Sequence, residues 1–323
     1  MTTPASYAHR FRHAVALVII STADTNAFLQ PQHKHERIRC LSSTNHEIDQ
    51  ATLANKVDSL DRSTAQQIVS DVLCPKNEER KRDNAGMEAF GQDRHSKVIT
   101  NDDPRNEYTY GEFPFDSFDL LVDRAVDLLD ETTTQEDSGD KRKMIDVGSG
   151  CGRLALYAGL TRIDWDVAGI EIGHQLHSLA VNSLQRGINE DFFKPICDND
   201  SLEEESQISF YNGNVLPGKD PYFQNTETDN DTIQSILSDA NLLFAYSTVW
   251  ETDSAQSFNP ELGAMVLSPK WSQTLASTCK NGVIAVTTDR ALSPDYGWKL
   301  LDRMDVENPA VWGSTGYISV LQK

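Results

Sequence analysis

The sequence predicts an α/β fold in which a doubly wound, mainly parallel sheet ends in an antiparallel C-terminal hairpin. Three observations predict it. From Phe115 onward, short apolar segments of strand length alternate with segments of helical period. One early strand runs directly into Gly148-Ser149-Gly150-Cys151-Gly152, the place where such a fold turns towards a ligand. The two closing strands, 298–306 and 315–321, are joined by no helical pattern, as antiparallel neighbours are.

Taken in order, Phe118, Leu121, Val122, Ala125, Val126, Leu128 and Leu129 recur at helical spacing, with Asp116 or Ser117 available as a cap. Residues 143–147 read as a buried strand and 153–160 as a helix. A strand over 164–172 and a helix over 175–186 repeat the unit. Strands follow at 208–211 and 241–246. Residues 262–279 are helical with Pro269 as an interruption, and 282–288 form another strand. The acidic stretches 198–206 and 227–231 read as solvated insertions.

Three segments divide the chain: a leader over 1–46, a helical or linker segment over 47–105, and the α/β domain over 106–323. In the leader, Arg10, Arg12 and His13 precede an apolar run over 14–20, and small polar residues lead to Asn26-Ala27-Phe28. These are the parts of a signal peptide. Residues 1–46 hold five Lys/Arg against two Asp/Glu, so the remainder carries -23 of the net -20. A basic, hydroxyl-rich leader has the composition of a transit peptide, and the Ala27-Phe28 junction resembles the bipartite leaders of algae with secondary plastids. The expected address is therefore the plastid; secretion, a nuclear location and a buried strand over 15–20 are the alternatives. In the second segment one helix is expected over 48–73, with Leu53, Val57, Leu60, Ile68, Val69 and Leu73 apolar and Pro75 ending it. The charged run 76–84 is expected to be exposed.

Composition narrows the function. With 323 residues, 38% hydrophobic content and a mean hydropathy of -0.48, the chain reads as a soluble globular protein. No run approaches the roughly 18 apolar residues of a membrane span. A net charge of -20 repels phosphate backbones, which disfavours a nucleic-acid partner. It suits a basic protein partner, or serves solubility alone. The five cysteines form no C-x-x-C pair, against a disulfide framework or zinc site. Neither His33-x-His35 nor His174-x-x-His177 has ligands nearby to complete a metal set, so no metal is expected.

The glycine loop is the informative feature. Its spacing, Gly148-x-Gly150-x-Gly152, differs from the G-x-G-x-x-G of dinucleotide folds. Asp146 sits at the strand end just before it, where a carboxylate would repel a pyrophosphate and attract a cation. Glu171 closes the next strand, where a carboxylate can take both ribose hydroxyls. Plainer readings exist: the glycines could be turn residues, Asp146 a cap and Glu171 an exposed strand end.

Residues 144–153, with Gly169-Ile170-Glu171 after them, resemble motif I and its partner acid in class I S-adenosylmethionine-dependent methyltransferases. The resemblance implies a Rossmann-like sheet of seven strands and S-adenosyl-L-methionine as cofactor. It implies cofactor contacts from Asp146, Gly148, Ser149, Gly150, Gly152, Arg153 and Glu171. Asn214 and Val215 follow the third strand, where the family often places an acid against adenine; Asn214 keeps only an amide there. A narrower resemblance, to Dot1-like histone-lysine methyltransferases, rests on Tyr110-Gly111-Glu112 ahead of a helix with Phe118-Asp119-Leu120. It implies that Tyr110, Glu112 and Phe113 fold over the methionine end of the cofactor. The paired asparagines of that family are replaced by Tyr246-Ser247-Thr248. Tyr246, Ser247 and Trp250 are the expected catalytic-site residues, placed after strand four where an acceptor would approach. The expected activity is methyl transfer to a protein, with lysine as one candidate acceptor. A small-molecule methyltransferase of plastid metabolism and a non-catalytic cofactor-binding protein are the alternatives, and a dinucleotide oxidoreductase fits least.

Overall fold

The Asp61 carboxylate accepts the Thr64 N–H at 3.1 Å and caps the first helix of the computed structural model. The structure describes residues 60–91, 110–132, 141–193, 207–216, 226–252 and 258–323, all within one unit, Leu53–Lys323. The leader over 1–46, the start of the helix expected over 48–73 and the acidic stretch 198–206 lie outside the described residues.

The helices are α1 (Arg62–Ile68), which continues as a π-turn over Val69–Leu73, α2 (Glu79–Gly91), α3 (Phe115–Thr132), α4 (Arg153–Thr161), α5 (His174–Asn189), α6 (Asn230–Ser238) and α7 (Pro269–Thr278). The strands are β1 (Arg142–Val147), β2 (Trp165–Glu171), β3 (Ile208–Asn212), β4 (Leu242–Ala245), the short β5 (Phe258–Asn259) and β6 (Ala264–Met265), β7 (Ile284–Thr288), β8 (Trp298–Val306) and β9 (Ser314–Leu321). Seven strands make one sheet in the order β3-β2-β1-β4-β7-β9-β8. Its first five strands are parallel, and β9 runs antiparallel to both β7 and β8. The fold expectation, including the closing hairpin, therefore holds.

This order positions the site. The chain leaves β1, steps outward to β2 and β3, and then crosses back to place β4 on the other side of β1. Helical connections diverge at that reversal and leave a crevice beyond the carboxyl ends of β1 and β4. Alternation along the central strands feeds a core on each face: Met144, Leu242 and Phe244 pack with α1, α3 and α4, while Ile145, Val147, Leu243 and Ala245 pack with α6 and α7. Among the described residues, no helix is long and apolar enough to cross a membrane.

Several expectations change. The helix expected over 48–73 starts only at Arg62, after Leu60 and Asp61, which are not helical. The helix α3 starts at Phe115, so Asp116 and Ser117 lie inside it and neither caps it. Pro269 does not interrupt a helix; it opens α7, since proline in the first turn forfeits no intrahelical hydrogen bond. The acidic stretch 227–231 is not a free insertion. Asp229 caps α6 by accepting the Thr232 N–H at 2.8 Å, and Ile233 and Leu237, one turn apart, are buried. The charged run 76–84 is not uniformly exposed either. It enters α2, whose Arg82 is only 5% exposed.

Candidate functional site

The first turn of the site is built by β1 and the loop that leaves it. Asp146 pairs in register with Gly169 of β2, and Val147 with Ile170. The chain then turns sharply, with Gly148 and Ser149 N–H groups both donating to the Ile170 carbonyl at 2.9 and 3.1 Å. Gly150 and Gly152 carry φ of 56° and 82°, the left-handed region that costs a side chain strain. Space requires them as well. A Cβ on Gly150 would stand 2.9 Å from the Tyr110 ring, and one on Gly152 would stand 2.6 Å from the Phe210 ring.

Glu171 holds this loop. Its Oε2 accepts the Gly150 N–H at 2.9 Å and its Oε1 accepts the Gly173 N–H at 2.7 Å. Each oxygen keeps a second lone pair for a ligand hydroxyl. Behind it, buried Asn212 on β3 donates from Nδ2 to the Glu171 carbonyl at 2.9 Å and fixes the strand end. Burial pushes the Glu171 carboxyl up, and the amides of Gly173, Gly150 and Ile172 pull against that. Asp146 is pushed further. Burial, and then the neighbouring Glu171 charge, raise its carboxyl to about 7.

A cavity opens over these groups. Its floor is Asp146 and the loop 148–151. Its sides are the ends of β2 and β3, with Ile172 and residues 213–216, and the segment after β4, with Tyr246 and Trp250. The segment 110–113 covers it, and Gly111 lies close on the Tyr246 ring, where a Cβ would sit at 3.1 Å. Phe113 packs at a tilt against Tyr246, with ring centroids 5.1 Å apart.

Glu112 is the hub of the cover. Its Oε1 accepts from the Tyr110 hydroxyl at 2.8 Å and from Arg82 Nε at 2.8 Å, and its Oε2 meets Arg153 Nη1 at 3.0 Å. Arg82 also donates to the carbonyls of Cys74 and Pro75, at 3.2 and 3.0 Å. Two guanidiniums on one carboxylate leave a net positive edge beside a floor of two buried acids.

Nearly every expected site residue lines this cavity: Tyr110, Glu112 and Phe113; Asp146, Gly148, Ser149, Gly150 and Arg153; Glu171; Asn214 and Val215; Tyr246 and Trp250. Gly152 lies one residue beyond, as the N-terminal cap of α4. Ser247 does not reach the cavity. It is fully buried; its Oγ donates to the Thr288 carbonyl at 2.8 Å and accepts the Thr288 N–H at 3.1 Å, tying β4 to β7. Its role is therefore to fix the strand end, not to meet an acceptor. Tyr246 is held by Asn308, whose Nδ2 donates to its hydroxyl at 3.0 Å.

Other contributors were not expected, among them Trp271 and Arg82. Trp271, on α7, stacks on Trp250 with ring centroids 3.9 Å apart, and both line the cavity. Arg82 braces Glu112 from α2. Its signal was the pattern Arg82, Ala85 and Gly86, which puts one charged and two small residues on one buried helical face. Gly86 packs against Tyr110, where a Cβ would stand 2.4 Å from the tyrosine Cβ.

The cavity fits a nucleoside carrying a cation. Ser149 Oγ and Trp271 Nε1 are buried on its lining without a partner among the described residues, although such groups ordinarily find one. The acidic floor matches positive charge and hydroxyls, and the arginine edge matches a carboxylate.

No protein-family model and no curated protein matches the chain. Among solved structures, it is similar to magnesium protoporphyrin IX methyltransferase (ChlM) from Synechocystis PCC 6803 with bound SAM, at 14% identity over 81% of this chain and 98% of that one, with a TM-score of 0.36. It is similar to a 16S rRNA (adenine(1408)-N(1))-methyltransferase from Catenulisporales acidiphilia at 12% identity, over 62% of this chain and 91% of that one, TM-score 0.34. A third likeness is to precorrin-6y C5,15-methyltransferase from Geobacter metallireducens GS-15, at 10% identity over 62% and 88%, TM-score 0.33.

Proposed function

We propose that this chain binds S-adenosylmethionine and transfers its methyl group to an acceptor. The observation that carries the reading is the pair of buried carboxylates, Asp146 and Glu171, at the ends of adjacent strands around a left-handed glycine loop. Glu171 would take the ribose hydroxyls through its free lone pairs, and Asp146 would balance the positive end of the cofactor. Arg153, braced with Arg82 through Glu112, would receive the methionine carboxylate. When bound, the cofactor supplies an electrophilic methyl on a sulfonium. The chain's own work is to align, exclude water and leave the acceptor atom unprotonated. Tyr246, Phe113 and Trp250 give the aromatic walls for that, and Ser247 gives none. A pyrophosphate cofactor is opposed by Asp146.

For the acceptor, the net charge of -20 favours a basic protein, with a lysine amine as the proposed atom. The segment 110–113 as a cover supports the loop reading taken from Dot1-like enzymes, and the histone is not carried over with it. The aromatic walls favour a second reading, a planar small molecule.

Calorimetry on the full chain should give micromolar binding of S-adenosylmethionine and S-adenosylhomocysteine, with no heat from NAD. Gly150→Val, placing a branched side chain at a left-handed residue against Tyr110, should stay folded and lose the binding. Equal affinity in that variant removes the site assignment. A radiolabelled methyl recovered in protein, rather than in a small-molecule fraction of the same extract, selects between the acceptors. The basic, hydroxyl-rich composition of residues 1–46 motivates a plastid address. A fluorescent fusion of that segment should enter plastids, and retention in the cytosol overturns it.

A further inference from the structure

The chain has five tryptophans, and four of them are at most 8% exposed. The fifth, Trp312, is fully exposed, and its φ of 66° lies in the left-handed region that a bulky side chain rarely adopts. Its side chain makes no hydrogen bond, ion pair or ring contact among the described residues. Nothing within the described fold offsets that strain.

The turn that carries Trp312 is rigid and adjoins the site. Strands β7 and β8 both run antiparallel to β9, so they point the same way. The β8–β9 turn over 307–313 therefore stands at the carboxyl edge of the sheet, where the cavity opens. Buried Asn308 organises it. Its carbonyl accepts the Val311 and Gly313 N–H groups at 3.1 and 2.9 Å, and its Oδ1 accepts the Ala310 N–H at 3.3 Å. Its Nδ2 donates to Ser314 Oγ at 2.9 Å and to the hydroxyl of Tyr246, on the cavity wall, at 3.0 Å. Asp289, just past β7, closes the root. Its Oδ2 accepts from Ser314 Oγ at 3.1 Å and its Oδ1 accepts the Thr315 N–H at 2.8 Å. Asp289 is itself left-handed, with φ of 62°. Two strained residues thus stand in one knot beside the aromatic wall that an acceptor would approach.

Charge points to the kind of partner. Asp305 and Glu307, at the start of the turn, are exposed, and neither carboxylate has a cation partner among the described residues. Asp305 accepts from the Thr315 hydroxyl at 2.8 Å. The neighbouring cation of β8 is turned elsewhere: Arg303 donates to the Gly263 carbonyl at 3.2 Å and lies over the Tyr317 ring. An exposed indole beside unneutralised carboxylates suits an ammonium or a guanidinium.

We propose that the β8–β9 turn is the docking platform for a basic segment of a protein acceptor. A lysine or arginine flanking the methylated residue lies over the Trp312 ring, and Asp305 and Glu307 draw its charge there. The basic occupant rests on the protein-acceptor reading above.

Tryptophan emission of the full chain reports on this directly, because the neutral quencher acrylamide reaches Trp312 and scarcely touches the four buried rings. A synthetic peptide of alternating lysine and alanine should shield Trp312 from acrylamide, and added salt should weaken the shielding. A peptide of alternating glutamate and alanine should give none. In the anisotropy of a dye-labelled lysine peptide, Trp312→Gly should bind about fivefold more weakly and Glu307→Gln about twofold. Glycine relaxes the left-handed residue, so Trp312→Gly should keep its melting temperature and its S-adenosylhomocysteine affinity. No shielding by the lysine peptide, or equal peptide affinity in Trp312→Gly, overturns the proposal. Shielding by phosphatidylcholine vesicles in its place, or shielding that grows with protein concentration alone, overturns it in favour of a membrane or a second copy. A peptide that shields Trp312 yet takes no radiolabelled methyl from S-adenosylmethionine overturns the lysine reading and leaves the platform standing.

Discussion

A chain cut to residues 100–323 should lose cooperative folding, although it keeps the whole sheet and the glycine loop. The reason lies in what residues 60–91 bury. Ala65, Ile68, Val69 and Leu73 are at most 3% exposed and belong to the same core as Tyr157, Leu160, Leu184 and Phe193. Burying each of the three larger side chains contributes about 1.5–3 kcal/mol, against a total stability of about 5–15 kcal/mol for a domain. Their removal would also expose the apolar faces of α4 and α5 that they cover. Polar ties go with them: Gln66 Nε2 donates to Asp116 at 2.6 Å, and Arg186 donates to the Val72 carbonyl and to Glu78 at 3.3 and 3.1 Å.

The companion variant separates folding from binding. Arg82→Met in the full chain removes the donors to Glu112, Cys74 and Pro75; Glu112 keeps Tyr110 and Arg153, Pro75 keeps the Glu78 N–H, and the Cys74 carbonyl loses its buried donor, at about 1–3 kcal/mol. It should still melt cooperatively, at a lower temperature, and bind S-adenosylmethionine about tenfold more weakly. Thermal melts and calorimetry on both proteins check this. A truncated chain that folds and binds normally would show that residues 60–91 are dispensable.

These two results bear on what the sequence disclosed. The sheet was legible because its strands are apolar runs bounded by glycines and alternate with clear helical periods, as at β1, β2 and α5. The floor of the site was legible because chemistry and position coincide: Asp146 precedes the glycines, and Glu171 ends the next strand. Arg82 was not, because a lone buried arginine directly after Lys76-Asn77-Glu78-Glu79-Arg80-Lys81 has the appearance of a solvated face. Its partner Glu112 lies 30 residues on, and only the tertiary fold joins them. Trp271 was not legible either, because only the tertiary fold brings α7 against the segment after β4 and stacks it on Trp250. Ser247 shows the converse limit. A hydroxyl at the right sequence position still had to choose between the cavity and the β7 backbone, and the backbone won because its groups are buried beside it.

Asp146→Asn should make the protein more stable above neutral pH and abolish most of its cofactor affinity. In the ligand-free fold, burial and the Glu171 charge raise the Asp146 carboxyl from 3.8 to about 7. Between those values the folded chain holds a proton that the unfolded chain has released. Stability is therefore greatest at the acid side of that window and falls as pH rises through about 7. An amide of the same shape carries no such penalty, so the variant should melt higher than the unaltered chain at about pH 8, and the difference should fade towards about pH 4. A buried acid that costs stability at working pH is retained for what it binds. A cation beside it lowers the carboxyl again, so binding expels a proton. S-adenosylmethionine affinity should then rise with pH by up to about tenfold per unit below about 7 and flatten above it, with matching proton release in buffers of different ionisation heat. The Asn variant should bind about tenfold or more weakly and lose that slope. Affinity independent of pH in the unaltered chain, or unchanged in the variant, would remove Asp146 from the cation site. A melting point that failed to rise in the variant would show that the carboxyl is not paying the desolvation cost its burial implies.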